Sequence, residues 1–239
     1  HDLFQGGNHR FPMDDAGVCI SLKDPRAGVS ACVADWPMSC VRLESESRAD
    51  LIALADEMLA AWRKWSDPAC DVYAETDQPH NTITPILRYD ADEKQFVFDL
   101  VLRNNRTTPE YPDGIFHPHQ EIHHIKKENI GLIEVMGLAI LPGRLEKQSA
   151  MIASVLAGRQ GADAVKAAAP EHAPWLDYLV KTYGTAMTAE QAQAAVRREI
   201  DAKVEACLDH AGVFKQPPQG HAAPARFLQK LGCVQAEMI

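Results

Sequence analysis

A chain of 239 residues, 46% of them hydrophobic, is long enough to bury a core as one large domain or two small ones. Its formal net charge of -9 lacks the basic excess of a protein that grips nucleic acid, so no nucleic acid partner is expected. No apolar stretch reaches the roughly 18 to 20 residues of a membrane span. Six cysteines stand at wide spacings without a CxxC pair, which fits reduced thiols in a cytoplasmic protein.

The chain opens on His1 in HDLFQGG rather than on Met, which reads as a piece of a longer polypeptide. Short apolar runs at 18–22 and 40–43, bounded by Gly, Pro and Asp, predict strands. Over 50–65 the period changes: Leu51, Leu54, Met58, Trp62 and Trp65 fall on one helical face, and Ser47 followed by Asp50 gives the helix a start. Tryptophans at that spacing read as core rather than as a base-stacking pair. Strand chemistry returns at 81–87 and 95–102, an antiparallel pair joined by the polar turn 89–94, with Pro85 placing the first strand at an edge or in a bulge. The loop 104–114, with Pro109, Pro112 and Gly114, then delivers the chain to its most unusual segment.

Residues 114–143 read GIFHPHQEIHHIKKENIGLIEVMGLAILPG. His117, His119, His123 and His124 stand beside Lys126 and Lys127 and run directly into Ile130, Leu132, Ile133, Val135, Met136, Leu138, Ile140 and Leu141, an apolar run expected to be a buried strand. A polar cluster anchored at the edge of a core is the usual seat of a functional loop. If the histidines lie on a strand, His117 and His119 point the same way and Glu121 or His123 shares their face, a three-ligand set for a divalent metal. Lys126, Lys127, Arg103 and Arg106 are local positive charge in an acidic chain, suited to a small phosphate-bearing substrate, Arg as a fork and Lys as a point charge. Glu134, between Ile133 and Val135, needs a partner unless strand alternation turns it to water. There is no GxGxxG or GxxxxGK loop, so nucleotide phosphates would have to be held by side chains.

Beyond Arg144 the composition shifts to Ala, Glu, Gln and Lys, predicting helices at 144–157, around 175–181, at 189–209 and at 222–231, with breaks at Gly158, Pro170, Gly212 and 217–220. Strands and helices in separate blocks give an α+β fold without βαβ alternation, divided as an α+β domain over 1–143 and a helical region over 144–239 packed on it. His172, His210 and His221 stand alone in helical or loop context and read as surface or satisfied histidines.

HPHQEIHHIKKENIGLIEVMGLAILPGRL, together with FQGGNHRFPM at 4–13, HNTITPIL at 80–87, DLVLRNNRTTPEYPDGIFHPH at 99–119 and DHAGVFK at 209–215, resembles the class II galactose-1-phosphate uridylyltransferases. The matches run in order over nearly the whole chain and correspond to the C-terminal half of that family. The resemblance implies a histidine-triad type fold with an antiparallel sheet and packed helices, and a two-step transfer. In it a neutral imidazole attacks the α-phosphorus of UDP-glucose and passes the uridylyl group to galactose 1-phosphate. The family places its nucleophile in an H-x-H-x-Q motif, which residues 1–5 match in frame. His1 would orient the nucleophile and Gln5 would donate to a phosphate oxygen, with Gly6 and Gly7 letting backbone come close. The nucleophile's own position holds Leu3, which has no lone pair, so a strict carry-over predicts no covalent intermediate by the usual route. The chain is then a divergent or inactive relative, or the residue was altered, or the motif aligns differently.

The expected substrate-binding residues are Asn81, Arg103, Arg106, His117, His119, His124, Lys126 and Lys127. No cofactor is required, and a divalent metal on His117, His119, Glu121 and His123 is left open. The expected partners are UDP-glucose, galactose 1-phosphate and an N-terminal half of the same polypeptide, with a homodimer as an option and no membrane. Three other readings stand beside this one: an inactive sugar-nucleotide-binding domain, a metal-dependent phosphohydrolase built on 117–124, and a catalytic role for the second H-x-H pair at His117 and His119.

Overall fold

A computed structural model describes residues 5–126, 131–215, 222–231 and 234–238. Strands β1 (Val18–Arg26) and β2 (Val29–Ala34) form a hairpin whose turn passes through Gly28 at φ +77°, a conformation that disfavours any residue with a Cβ. Strand β3 (Cys40–Ser45) follows, then helix α1 (Arg48–Trp62), opened by Ser47, whose Oγ accepts from the Asp50 N–H at 3.3 Å. Strands β4 (Asn81–Asp90) and β5 (Gln95–Asn104) pair antiparallel from Asn81 opposite Asn104 to Asp90 opposite Gln95. A last strand near the C-terminus, β6 (Val234–Met238), pairs with β1. The sheet order is β4-β5-β3-β2-β1-β6, so β4 is an edge strand. That is where Pro85, with no N–H to give a ladder, is tolerated.

The α+β expectation holds, but the chain divides in an interleaved way rather than at residue 143. One compact unit comprises 1–117, 130–138 and 208–239, the other 118–129 and 139–207. Burial explains the difference. Ile125 packs with Leu145, Ile152, Trp175 and Leu176, which draws the histidine segment into the helical unit. Val213, Phe214, Phe227 and Leu228 pack with Trp62 and Leu43, which returns the end of the chain to the sheet.

In the first unit α1 lays Leu51, Leu54, Met58 and Trp62 on Leu43, Leu100 and Leu102. Trp62 and Trp65 stack at 5.6 Å and meet Phe214 and Phe227 edge-on. The Trp62 indole N–H donates to the carbonyls of Thr82 and Arg103, so this pair is core, as expected. A second cluster gathers Met13, Met38, Cys40, Ile86, Val101, Val135 and Met136.

The apolar run after the histidines is not a strand. A single helical turn, α2 (Leu132–Val135), replaces it, and Ile130 lies outside the described residues. Glu134 reaches back to accept from the Gly131 N–H at 2.9 Å, a carboxylate cap that favours the turn over an extended chain. Gly137 ends it at φ +95°, where an added Cβ would lie 2.8 Å from Trp36 and 3.0 Å from Pro12. Val135 and Met136 are buried, whereas Leu138 and Ile140 are 45% and 60% exposed, so the expected burial holds for only part of the run.

The second unit is helical: α3 (Arg144–Leu156), α4 (Ala162–Ala168), α5 (Ala173–Tyr183) and α6 (Ala189–Ala211) as far as Cys207. Thr188 and Gln191 exchange side chain to backbone hydrogen bonds at the start of α6. After α6 the chain forms α7 (Ala222–Lys230) in the first unit. Among the described residues no helix is long and apolar enough to cross a membrane.

Candidate functional site

The first unit carries a buried charge network that the sequence did not announce. Asp99, fully buried on β5, accepts from Arg42 Nε at 2.7 Å and Nη2 at 3.1 Å and from Arg88 Nη1 at 2.6 Å. Arg88 also meets Asp14 at 3.0 Å. Burial alone would lower the Arg42 guanidinium, but the hydrogen bond and charge of Asp99 outweigh it and hold the pKa above its usual value. Strand alternation puts Arg103, four residues from Asp99, on the same face of the sheet. Unlike Arg42 and Arg88, Arg103 forms no ion pair among the described residues, and burial pulls its pKa down. A half-buried guanidinium without a carboxylate is a ready anion contact.

The other expected residues of this unit are committed to the chain itself. Asn81 donates to the carbonyls of Trp62 and Trp65 at 2.7 and 2.8 Å and accepts from Asn104 at 2.6 Å, tying the end of α1 to the β4–β5 hairpin. Arg106 pairs with Asp71 and lies over the Tyr73 ring at 4.8 Å. Gln5 is exposed, and nothing stands within 4 Å of where a Cβ would be on Gly6 or Gly7. His1, Leu3 and Lys127 lie outside the described residues.

The strand face proposed for His117, His119, Glu121 and His123 does not exist. His117 ends a segment of the first unit, and His119 precedes a 3-10 turn, Gln120–Ile122, in the second. A period near three replaces the alternation that would have aligned the four side chains. His119 Nδ1 lies 3.8 Å from Glu121, while His123 Nε2 faces the Pro118 carbonyl at 2.9 Å. A carbonyl only accepts, so His123 Nε2 carries a proton and is no metal ligand in that state. The geometry on which the metal set was drawn is therefore absent. Lys126 donates to the Ile140 carbonyl at 3.4 Å.

His124 turns inward and meets a residue that sequence spacing had left alone. Its Nδ1 lies 2.7 Å from Nδ1 of His172, which is 1% exposed. His172 Nε2 meets Gln148 Oε1 at 3.1 Å, and Arg144 donates to that same oxygen at 2.8 Å. Gln148 donates in turn to Glu171 at 2.7 Å. These partners assign the protons. Gln148 Oε1 only accepts, so His172 donates from Nε2 and accepts at Nδ1; His124 then donates from Nδ1 and keeps a bare lone pair on Nε2. Burial, helped by the charges of Lys203 and Arg144, pushes His124 down to about 4, and burial lowers His172 as well, so both rings are neutral near pH 7. His124 Nε2 and the Trp175 indole nitrogen are covered from solvent without a hydrogen-bond partner. Each such group costs about 1–3 kcal/mol until something satisfies it.

A family model described as galactose-1-phosphate uridyl transferase, C-terminal domain, matches residues 13–165. Galactose-1-phosphate uridylyltransferase 2 of Streptococcus pneumoniae serotype 4 is 48% identical over 236 residues, covering 97% of this chain and 46% of that protein. The galactose-1-phosphate uridylyltransferases of Caldanaerobacter subterraneus subsp. tengcongensis and Halalkalibacterium halodurans are 45% and 46% identical with the same coverage. No solved structure matches. The chain spans about half the length of the curated relatives it matches. With well over half of its residues under one family model and near half of them identical to those relatives, the chain belongs to the galactose-1-phosphate uridyl transferase family, in the C-terminal part of its members.

Proposed function

We propose that this chain supplies the C-terminal half of a uridylyltransferase acting on UDP-glucose and galactose 1-phosphate. The observation that carries the reading is identity of 45 to 48% across 97% of the chain with proteins of that name. In the first step an imidazole nitrogen would bond to the α-phosphorus as the bond to the bridging oxygen breaks, releasing glucose 1-phosphate. In the second, a phosphate oxygen of galactose 1-phosphate would take the uridylyl group and free the imidazole. Arg103, Lys126 and Lys127 are suited to the sugar phosphate and Gln5 to the uridylyl phosphate. A second reading, a sugar-nucleotide-binding domain that transfers nothing, is favoured by Leu3 at the nucleophile's position.

The test is retention of label on the denatured protein after incubation with UDP-glucose labelled at the α-phosphate. No retention is expected for this chain, while UDP-hexose binding by calorimetry persists. Retained label would mean that a nucleophile other than residue 3 is present.

A further inference from the structure

Lys215 follows Phe214, which is buried and donates its backbone N–H to Ser39 Oγ at 2.8 Å, so the base of the lysine is tied to the core of the first unit. Its far end is held as well. Nζ donates to the carbonyls of Asp209 and His210, both at 2.9 Å, in the last turn of α6, and stands 5.4 Å from the centre of the Phe116 ring. Phe116 is buried in the same core, and all four residues belong to the first unit. The fold therefore brings this lysine from the end of the chain to the residue before His117, where the histidine segment begins.

A lysine at the end of a helix commonly serves only to occupy carbonyls that the helix leaves unpaired. Here that need is partly met without it, because the Gly212 N–H reaches the Asp209 carbonyl at 3.2 Å. The charge is not met. Lys215 forms no ion pair among the described residues, and packing on one side of the ammonium pushes its pKa down to about 8, with the charge of Asp209 opposing this only in part. The group stays mostly charged at pH 7 but has given up hydration without gaining a counter-ion. The residue is exposed, so a solute can reach it. An ammonium has three N–H bonds, and with two of them on carbonyls the third is left, together with the charge, for an acceptor from solution. A phosphate oxygen is such an acceptor, with lysine acting as a point charge. Because the stem is already held, an anion that docks there does not have to order it. We propose that Lys215 is a further substrate contact, donating its third N–H to a phosphate oxygen of the sugar phosphate. The choice of galactose 1-phosphate as that ligand rests on the uridylyltransferase reading above, whereas the contact itself requires no transfer.

The test is trace acetylation of the full chain with acetic anhydride from about pH 6 to 10, followed by peptide mass spectrometry that reads the reactivity of each lysine. It is run on the chain alone and with galactose 1-phosphate, with inorganic phosphate and with galactose. Both phosphate-bearing ligands should slow the labelling of Lys215 near pH 7.5 about tenfold, the change that a rise of one pKa unit brings, and galactose should not slow it. Lys215→Met keeps the stem without the charge and should weaken galactose 1-phosphate about 10- to 150-fold by calorimetry, while Lys215→Arg should recover part of the loss. The labelling of the unmodified chain decides the matter if the variants do not fold. Lys215 labelling that neither phosphate-bearing ligand slows at up to about 10 mM would overturn the proposal. So would slowing by inorganic phosphate alone, which makes it an anion site unconnected with the sugar. A Lys215→Met chain that melts earlier but binds galactose 1-phosphate as the parent does would leave the lysine a helix cap and nothing more. Transfer is read separately, from label retained after UDP-glucose, so the contact and the uridylyltransferase reading can fail independently.

Discussion

His124 shows how burial chooses a chemistry for one side chain. In water its ring would be half protonated near pH 6.5. Here burial pushes it down to about 4, with Lys203, His172 and Arg144 acting in the same direction and Glu171 opposing them. The unfolded chain therefore binds protons that the folded chain refuses between about 6.5 and 4, so stability is full above that window and falls as pH drops through it. Water reaches part of the ring, which reduces the loss to the order of 1–2 kcal/mol. Thermal unfolding measured from pH 7 to 4.5 should show a steeper fall for the parent than for His124→Gln, and parallel curves would contradict the burial argument. Asp99 presents a different case, a buried carboxylate that accepts from two guanidinium groups. Asp99→Ala would strand Arg42 in the interior and should cost about 3–5 kcal/mol in urea unfolding, whereas Asp99→Leu combined with Arg42→Met should lose clearly less. Equal losses would show that the stranded charge is not what matters.

At the scale of elements, legibility followed the length and strength of the repeat. Helix α1, the β4–β5 hairpin, α3 and α6 were readable because each repeats its pattern over at least ten residues. Strand β2 was not, since VSACVA has small residues where a strand signal needs bulk, and α4 has seven residues with Val165 alone buried. The histidine segment and α2 failed differently. Their alternating letters suggested strands, but local contacts decided, above all the carboxylate of Glu134 on the Gly131 N–H. Glu134→Ala should therefore cost about 1–2 kcal/mol and speed hydrogen exchange at the Gly131 amide, while Glu134→Gln, which can still accept, should keep most of the protection. Unchanged exchange in Glu134→Ala would remove the Glu134 cap as the reason for this turn.

At the scale of the molecule, the sequence showed which segments carry chemistry better than which side chains share a site. Motif resemblance identified the family, yet the relation of His124 to His172 across 48 positions has no signal in spacing and arises only when helices pack. Asn81 and Arg106 looked like ligand contacts and serve the fold, while Arg103 keeps a guanidinium without a carboxylate among the described residues. Arg103→Ala should then weaken galactose 1-phosphate about 10- to 150-fold by calorimetry and leave galactose unchanged, the range that a charge-assisted hydrogen bond of about 1.5–3 kcal/mol allows. Equal loss for both sugars would mean that Arg103 shapes the sheet rather than binds phosphate. The remaining question belongs to position 3, where leucine cannot attack phosphorus. If that position is the nucleophile's, Leu3→His should restore covalent labelling by UDP-glucose in a chain joined to the N-terminal half of a relative such as the Streptococcus pneumoniae protein, with His1 orienting the new ring. Labelling should fall again in Gln5→Ala, about 100- to 1,000-fold in rate, if Gln5 donates to the charge that develops on phosphate oxygen. His117→Ala in the same background should slow transfer to galactose 1-phosphate more than it slows labelling. Should Leu3→His stay inert while His119→Ala abolishes a transfer that the parent already performs, the second H-x-H pair is the catalytic one, and the roles of the two segments are reversed.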